Sequence, residues 1–152
     1  QLDRFLLRIE LGYPPESIEQ DLIATPKSGG THVELQPVVE RQALLAAQDA
    51  VSRVEMQSNV VTYMHQIIQA TRKTPLLDLG ASTRAALALS RAVRSRALVL
   101  GRNYVIPDDI KSLAVPALAH RVRVAGTADV TPMREEASRI IDNILNTLPV
   151  PL

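Results

Sequence analysis

The sequence predicts an all-α helical bundle, and three observations carry that prediction. Hydrophobic residues make up 46% of the chain, yet it holds one Phe, three Tyr and no Trp. Its core must therefore be built from Leu, Ile, Val and Ala, a mixture that favours packed helices over an aromatic-rich sandwich. Apolar residues recur at helical spacing through most of the chain. Prolines and glycines fall between those periodic runs, where they end one helix and start the next. At 152 residues the chain can bury one real core.

Residues 1–12 are the exception. Phe5, Leu7, Ile9 and Leu11 alternate with Arg4, Arg8, Glu10 and Gly12 as a strand would. Gly12-Tyr13-Pro14-Pro15 then breaks the run and predicts a stiff joint. A short helix near 15–24 rests on Ile18 and Leu22, and residues 25–31 read as a loop. A second helix is expected over about 37–53 with Pro37 in its first turn. Over about 58–73, Val60, Tyr63, Met64, Ile67, Ile68 and Thr71 share one helical face, Arg72 and Lys73 sit at the negative end of the dipole, and Pro75 stops the helix.

Residues 76–81 read as a loop. Ser82 is a natural N-cap for a fourth helix that ends at Gly101, with Ala85, Leu89, Val93 and Ala97 as its apolar stripe. Arg84, Arg91 and Arg94 cluster on another face of it. Residues 104–106 are extended, and a short two-stranded β pairing with 54–56 fits the pattern. Pro107 starts a fifth helix, with Asp108 and Asp109 in the first turn, running to about 123 with a kink at Pro116. Thr131-Pro132 opens a sixth, whose apolar face is Ala137, Ile140, Ile141, Ile144 and Leu148.

Net charge is +1, so no overall field draws the chain to nucleic acid or anionic lipid. The 17 basic residues are 14 Arg and 3 Lys, a bias toward bidentate recognition of phosphate or carboxylate. The absence of Cys excludes disulfides, thiolate catalysis and Cys-rich zinc sites. His32, His65 and His120 lack i, i+4 spacing, so no metal site is expected. No apolar run approaches the roughly 20 residues of a membrane span. No signal peptide is evident, and the reading is cytoplasmic. The chain opens at Gln1, which reads as a piece of something longer or a processed form.

No Gly-x-x-x-x-Gly-Lys-Ser/Thr run occurs, so the chain has no phosphate-cradling loop of its own. Two arginines remain as candidates. Arg84 follows Gly80-Ala81-Ser82-Thr83 at a helix start, where free N–H groups and the dipole favour an anion. The competing reading is a solvated helix face. Arg4, between Asp3 and Phe5, says nothing by itself. The face bearing Arg84, Arg91 and Arg94 could meet nucleic-acid phosphates, but the near-balanced charge and lack of interleaved aromatics disfavour it. His120-Arg121 reads as stabilising the terminal carbonyls of the fifth helix.

Four blocks, in register, resemble MoxR-type AAA+ ATPases where the chain leaves the ATP-binding core for the lid. They are Gln1-Leu-Asp-Arg-Phe-Leu with Gly12-Tyr13-Pro14, Gly80-Ala-Ser-Thr-Arg84-Ala, Gly101-Arg-Asn-Tyr-Val-Ile-Pro-Asp-Asp-Ile110, and Leu118-Ala-His-Arg121. The resemblance implies that residues 1–12 are a remnant of the core and 13–152 the helical lid. It implies that Arg4 is an arginine finger, acting in trans on ATP of a neighbouring subunit. Arg84 would be the sensor-2 arginine beside Ser82, touching ATP of its own subunit, and Gly12, Tyr13 and Pro14 the hinge. ATP and Mg2+ would be cofactors of the parent enzyme, with none expected in this chain. The partners implied are the other subunits of a ring, expected to be hexameric, and von Willebrand A-domain proteins. Thr83, Pro15 and Ile106 depart from the family pattern (Pro, Ser and Thr respectively). A helical, histone-fold-like module that binds protein or DNA is the alternative, drawn from the long fourth helix followed by Tyr-Val-x-Pro-Asp-Asp-Ile.

Overall fold

The structure is a computed structural model, which describes residues 2–24, 36–126 and 132–151. Its helices are α1 (Glu16–Ala24), α2 (Arg41–Ser52), α3 (Ser58–Lys73), α4 (Thr83–Val99), α5 (Pro107–Leu118) and α6 (Pro132–Thr147). A small antiparallel sheet pairs β1 (Leu77–Leu79) with β2 (Arg123–Val124). The predicted helical bundle is therefore present. The loop predicted at 25–31 and the Thr131 cap lie outside the described residues.

The core lies among α3, α4, α5 and α6. The face of α3 read from its spacing is the face that is buried: Val60, Tyr63, Met64, Ile67, Ile68 and Thr71. Against it pack Ala85, Leu89, Val93 and Ala97 of α4, Ile110, Ala114, Ala117 and Leu118 of α5, and Ile141 and Leu145 of α6. Small alanines on α4 and α5 let those two helices approach closely while the larger side chains interdigitate. Leu77, Val124, Ala137 and Ile140 form a second, smaller cluster under the sheet.

Both ends of α4 follow from its sequence. Ser82 Oγ accepts the Ala85 N–H at 3.1 Å. At the other end Gly101 adopts φ 75°, and the N–H groups of Gly101 and Arg102 donate to Leu98 and Ala97 carbonyls at 2.9 Å each. That double closure needs a left-handed residue, which glycine adopts without cost.

Several expectations are corrected. Residues 2–12 do not form a strand: Leu2–Arg4 is a single 3-10 turn, and residues 5–12 pair with no strand among the described residues. Alternation alone cannot make a strand where no neighbouring edge offers ladder partners. The second helix starts at Arg41 rather than in the turn after Pro37, and none of its residues is buried. The fifth helix continues through Pro116 but ends at Leu118, passing into a 3-10 turn (Ala119–Arg121) and then β2 instead of reaching 123. Residues 76–81 are not wholly loop, because β1 lies inside them. The pairing of 54–56 with 104–106 exists as one parallel bridge, with Glu55 N–H donating to Asn103 at 2.8 Å and Val105 N–H to Glu55 at 3.0 Å.

The turn into α5 is held by charge. Asp109 is 1% exposed. Arg102 donates to its two carboxylate oxygens at 2.7 and 2.8 Å, the Ile106 N–H donates at 3.0 Å, and Arg96 Nε lies 3.4 Å away. This is half a capping box: Ile106 has no side-chain oxygen with which to reciprocate. Burial opposes ionisation of Asp109, yet the Arg102 hydrogen bonds, the Ile106 amide and the two guanidinium charges outweigh it and hold its pKa below the ordinary value.

Candidate functional site

The segment that delivers Arg84 is clamped on both sides. An added Cβ at Gly80 would lie 2.5 Å from the Thr71 carbonyl oxygen and 2.6 Å from Arg72 Cα, so only glycine lets the chain pass this close to the end of α3. One residue on, Ala81 N–H donates to Thr71 Oγ1 at 3.0 Å and Ala81 carbonyl accepts from Arg72 Nε at 2.8 Å. Thr71 is fully buried. Ser82 then caps α4, and Arg84 emerges, exposed, in the first turn.

Arg84 does not stand alone. It lines a cleft of about 500 Å³ together with Arg4, Leu6, Leu87, Ala88, Arg91 and Arg121. Arg84, Leu87/Ala88 and Arg91 are successive steps along one face of α4, and Arg4 and Arg121 close the other side. Four guanidinium-bearing residues thus line one cleft. Asp3 is the carboxylate beside them, 3.8 Å from Arg121 Nη1 and 3.4 Å from Ser82 Oγ. Like charges held together without matching counter-charge favour an anionic occupant, and guanidinium forks suit phosphate oxygens.

Sequence reasoning placed Arg84, Ser82 and Arg4 as site residues, and the fold brings all three to one locality. It also grouped Arg94 with Arg84 and Arg91, and here the structure corrects it. Arg94 turns away, its Nε donating to the Val54 carbonyl at 3.1 Å and its Nη1 hydrogen bonding to Ser90, so it ties α4 to the segment before α3. The predicted hinge residues Gly12, Tyr13 and Pro14 lie apart from the cleft in an exposed stretch of irregular backbone, with Tyr13 96% exposed. Nothing lies within 4 Å of a Cβ built on Gly12.

Arg121 is the residue whose importance the sequence concealed. Rather than serving the carbonyls of its own helix, its Nη2 donates to the Phe5 carbonyl, 116 residues away in sequence. Its side chain is 2% exposed. Burial pushes its pKa down, Asp3 opposes that, and the Arg84 charge adds to it. His120 Nε2 lies 2.9 Å from the same carbonyl and 3.2 Å from Arg121 Nε. That nitrogen donates to Phe5 in one tautomer and accepts from Arg121 in the other. No cluster of three or more His, Cys, Asp or Glu residues able to hold a metal occurs among the described residues. No described helix is long and apolar enough to cross a membrane.

A helical bundle whose fourth helix begins in a capped, arginine-bearing turn beside an arginine-lined cleft fits an AAA+ lid. The chain belongs to the AAA lid domain family, whose model matches residues 69–144. Its similarity is to MoxR-type proteins. It is 32% identical over 99% of its length to Chaperone MoxR1 of Mycobacterium tuberculosis, covering 41% of that protein. It is 34% identical over its whole length to the protein YeaC of Bacillus subtilis, covering 47% of that protein. The crystal structure of a candidate ATPase from Cytophaga hutchinsonii superposes with a TM-score of 0.80 at 25% identity, over 99% of this chain and 48% of that one. The chain thus spans about half the length of the relatives it matches from end to end. The AAA lid match, rather than the histone-fold-like alternative, accounts for the long fourth helix and the segment after it.

Proposed function

We propose that the chain is the lid of a MoxR-like AAA+ ATPase, with residues 1–12 the end of the ATP-binding core. The parent would use ATP hydrolysis to remodel or mature partner proteins, a reading supported by the chaperone naming of a relative. Arg84 serves as the sensor-2 arginine and Arg4 as the arginine finger. The observation that carries this reading is the shared cleft: the two arginines, far apart in the sequence, both line it. In phosphoryl transfer the protein contributes positioning and charge stabilisation, and guanidinium groups aimed at the transferring oxygens supply both.

The cleft offers cations to phosphate oxygens. The carboxylate of Asp3 beside it is engaged with Arg121 and Ser82. Ligands for Mg2+ therefore belong to the P-loop portion of the parent, and this lid would hold the anionic side of the nucleotide. On this reading Arg84 touches ATP of its own subunit, and Arg4 acts in trans on ATP of a neighbouring subunit. Assembly with other subunits in a ring and work beside von Willebrand A-domain proteins are part of the same proposal.

The test uses the ATP-hydrolysing parent. Arg4→Ala and Arg84→Ala should each lower hydrolysis, the former by about a thousand-fold. Each variant is then mixed with subunits whose P-loop lysine is replaced. Rescue in the mixed ring marks a residue as acting across the interface. Activity within twofold of the parent for both variants overturns the reading.

A further inference from the structure

We propose that Arg121 is a positioning residue that fastens the Arg4-bearing turn to the lid, so that Arg4 and Arg84 are presented together. The inference rests on the reading of Arg4 and Arg84 given above and adds the part that makes them one unit.

Four observations carry it. Arg121 sits at the end of the 3-10 turn after α5, inside the lid, yet its Nη2 hydrogen bond is to the Phe5 carbonyl, the residue next to Arg4. Its Nη1 faces Asp3, the residue on the other side of Arg4, at 3.8 Å. Arg121 therefore grips both flanks of Arg4 without occupying its place. It also lines the same cleft, and its Nη1 is buried with no hydrogen-bond partner among the described residues. A buried guanidinium is costly to maintain, so one that spans two segments distant in sequence is doing more than filling space. The surroundings support the same attachment: His120 Nε2 lies within hydrogen-bond distance of Phe5, and Arg8 N–H donates to the Pro116 carbonyl at 2.9 Å. Ser82, the cap of the Arg84 helix, reaches Asp3 from the other side at 3.4 Å. A chain of contacts thus runs from Arg121 through the Arg4 turn to the start of α4.

Lysine could keep the charge of Arg121 but not the fork that holds two flanks at once. The experiment has two arms. In the 152-residue chain, hydrogen exchange is followed at residues 5–8 in Arg121→Gln, Arg121→Lys and Asp3→Asn. Residues 5–8 should exchange about tenfold faster in Arg121→Gln, less so in the other two, with α3 and α4 unchanged. Asp3→Asn keeps the proposal testable should Arg121→Gln loosen the whole fold. Unchanged exchange at 5–8 in both Arg121→Gln and Asp3→Asn overturns the proposal.

The second arm measures steady-state ATP hydrolysis by the parent. Arg121→Gln should lower kcat by about 10–100-fold with KM for ATP within about twofold, because a misplaced group loses transition-state contact first. Arg121→Lys should recover part of it. In an Arg4→Ala background Arg121→Gln should add almost nothing further. Fully multiplied losses in the double variant, or a rise in KM alone, overturn the positioning role. Full activity of Arg4→Ala would instead remove the finger reading, and the exchange result at residues 5–8 would still stand by itself.

Discussion

Removing the carboxylate of Asp109 should be among the most damaging single changes to the fold. In Asp109→Ala the Ile106 N–H loses its acceptor, and Arg102 loses both hydrogen bonds, at 2.7 and 2.8 Å, that fix the turn into α5. Breaking a buried ion pair by deleting one partner costs about 3–5 kcal/mol. Arg102 and Arg96 keep 20% and 42% of their side chains exposed, so their charges stay partly hydrated and the lower figure, about 3 kcal/mol, applies. For a domain of this size that is a fall in Tm of about 6–12 °C. Asp109→Asn keeps an acceptor for Ile106 but sets an amide against the guanidinium, and should lose about half as much. The sign of the pH dependence follows from the depressed pKa of Asp109. A carboxylate held lower in the folded state contributes its full stability above its unfolded pKa, about 3.9, and loses it as pH falls through the folded value. Urea unfolding followed by circular dichroism at pH 7 and below pH 3 provides the assay. The gap between parent and Asp109→Ala should narrow in acid. A loss under about 1 kcal/mol at pH 7, or a gap that widens in acid, refutes the reasoning.

Three further outcomes can be measured the same way. Gly80→Ala forces a methyl to within 2.5 Å of the Thr71 carbonyl oxygen and 2.7 Å of the Arg72 N, backbone atoms that cannot swing aside. It should cost about 3 kcal/mol, and a neutral result would mean that the 80–82 segment is free to shift. Tyr63 is 1% exposed, its hydroxyl has no partner among the described residues, and its pKa is raised by burial first and the Asp108 charge second. Tyr63→Phe should therefore leave stability unchanged or raise it by about 1 kcal/mol; a clear loss would reveal a bridging water. Ser82→Ala removes the cap of α4 and should cost about 1 kcal/mol, with faster amide exchange confined to the first turn, where Ala85 N–H is unpaired. Slower or unchanged exchange at Ala85 would contradict the cap.

What the sequence disclosed and what it hid divide along the range of the interactions. The buried face of α3, the Ser82 cap and the Gly101 stop depend on residues three to five apart, so spacing and turn chemistry sufficed. The β1–β2 pair did not announce itself because two or three residues are too few to show alternation. Asp109 was read as a helix-dipole residue; that it is buried depends on Arg102, seven residues back across an extended turn. The grip of Arg121 on Phe5 spans 116 residues, and no local pattern encodes it. The cleft was half legible. Arg84 could be placed from its helix start, and Arg4 was singled out by resemblance alone. Their convergence required the tertiary fold.

The clamp and the predicted hinge constrain each other. Gly12, Tyr13 and Pro14 lie between the Arg4 turn and α1, which on the proposed reading is where the lid would pivot against the ATP-binding core. Yet Arg121 holds Phe5, which lies on the N-terminal side of that stretch. A lid that rotates about 12–14 must therefore open the Arg121–Phe5 contact in each cycle, or carry the Arg4 turn with it. In the first case hydrogen exchange in the Arg4 turn should alternate between nucleotide states of the parent, protected when the arginines face a triphosphate and open when they do not. In the second, protection there stays constant and the moving joint lies before Leu2. Constant protection across ATP, ADP and empty states would thus remove 12–14 as the hinge while leaving the arginine cleft intact, because the cleft is built by contacts on the lid side of the joint.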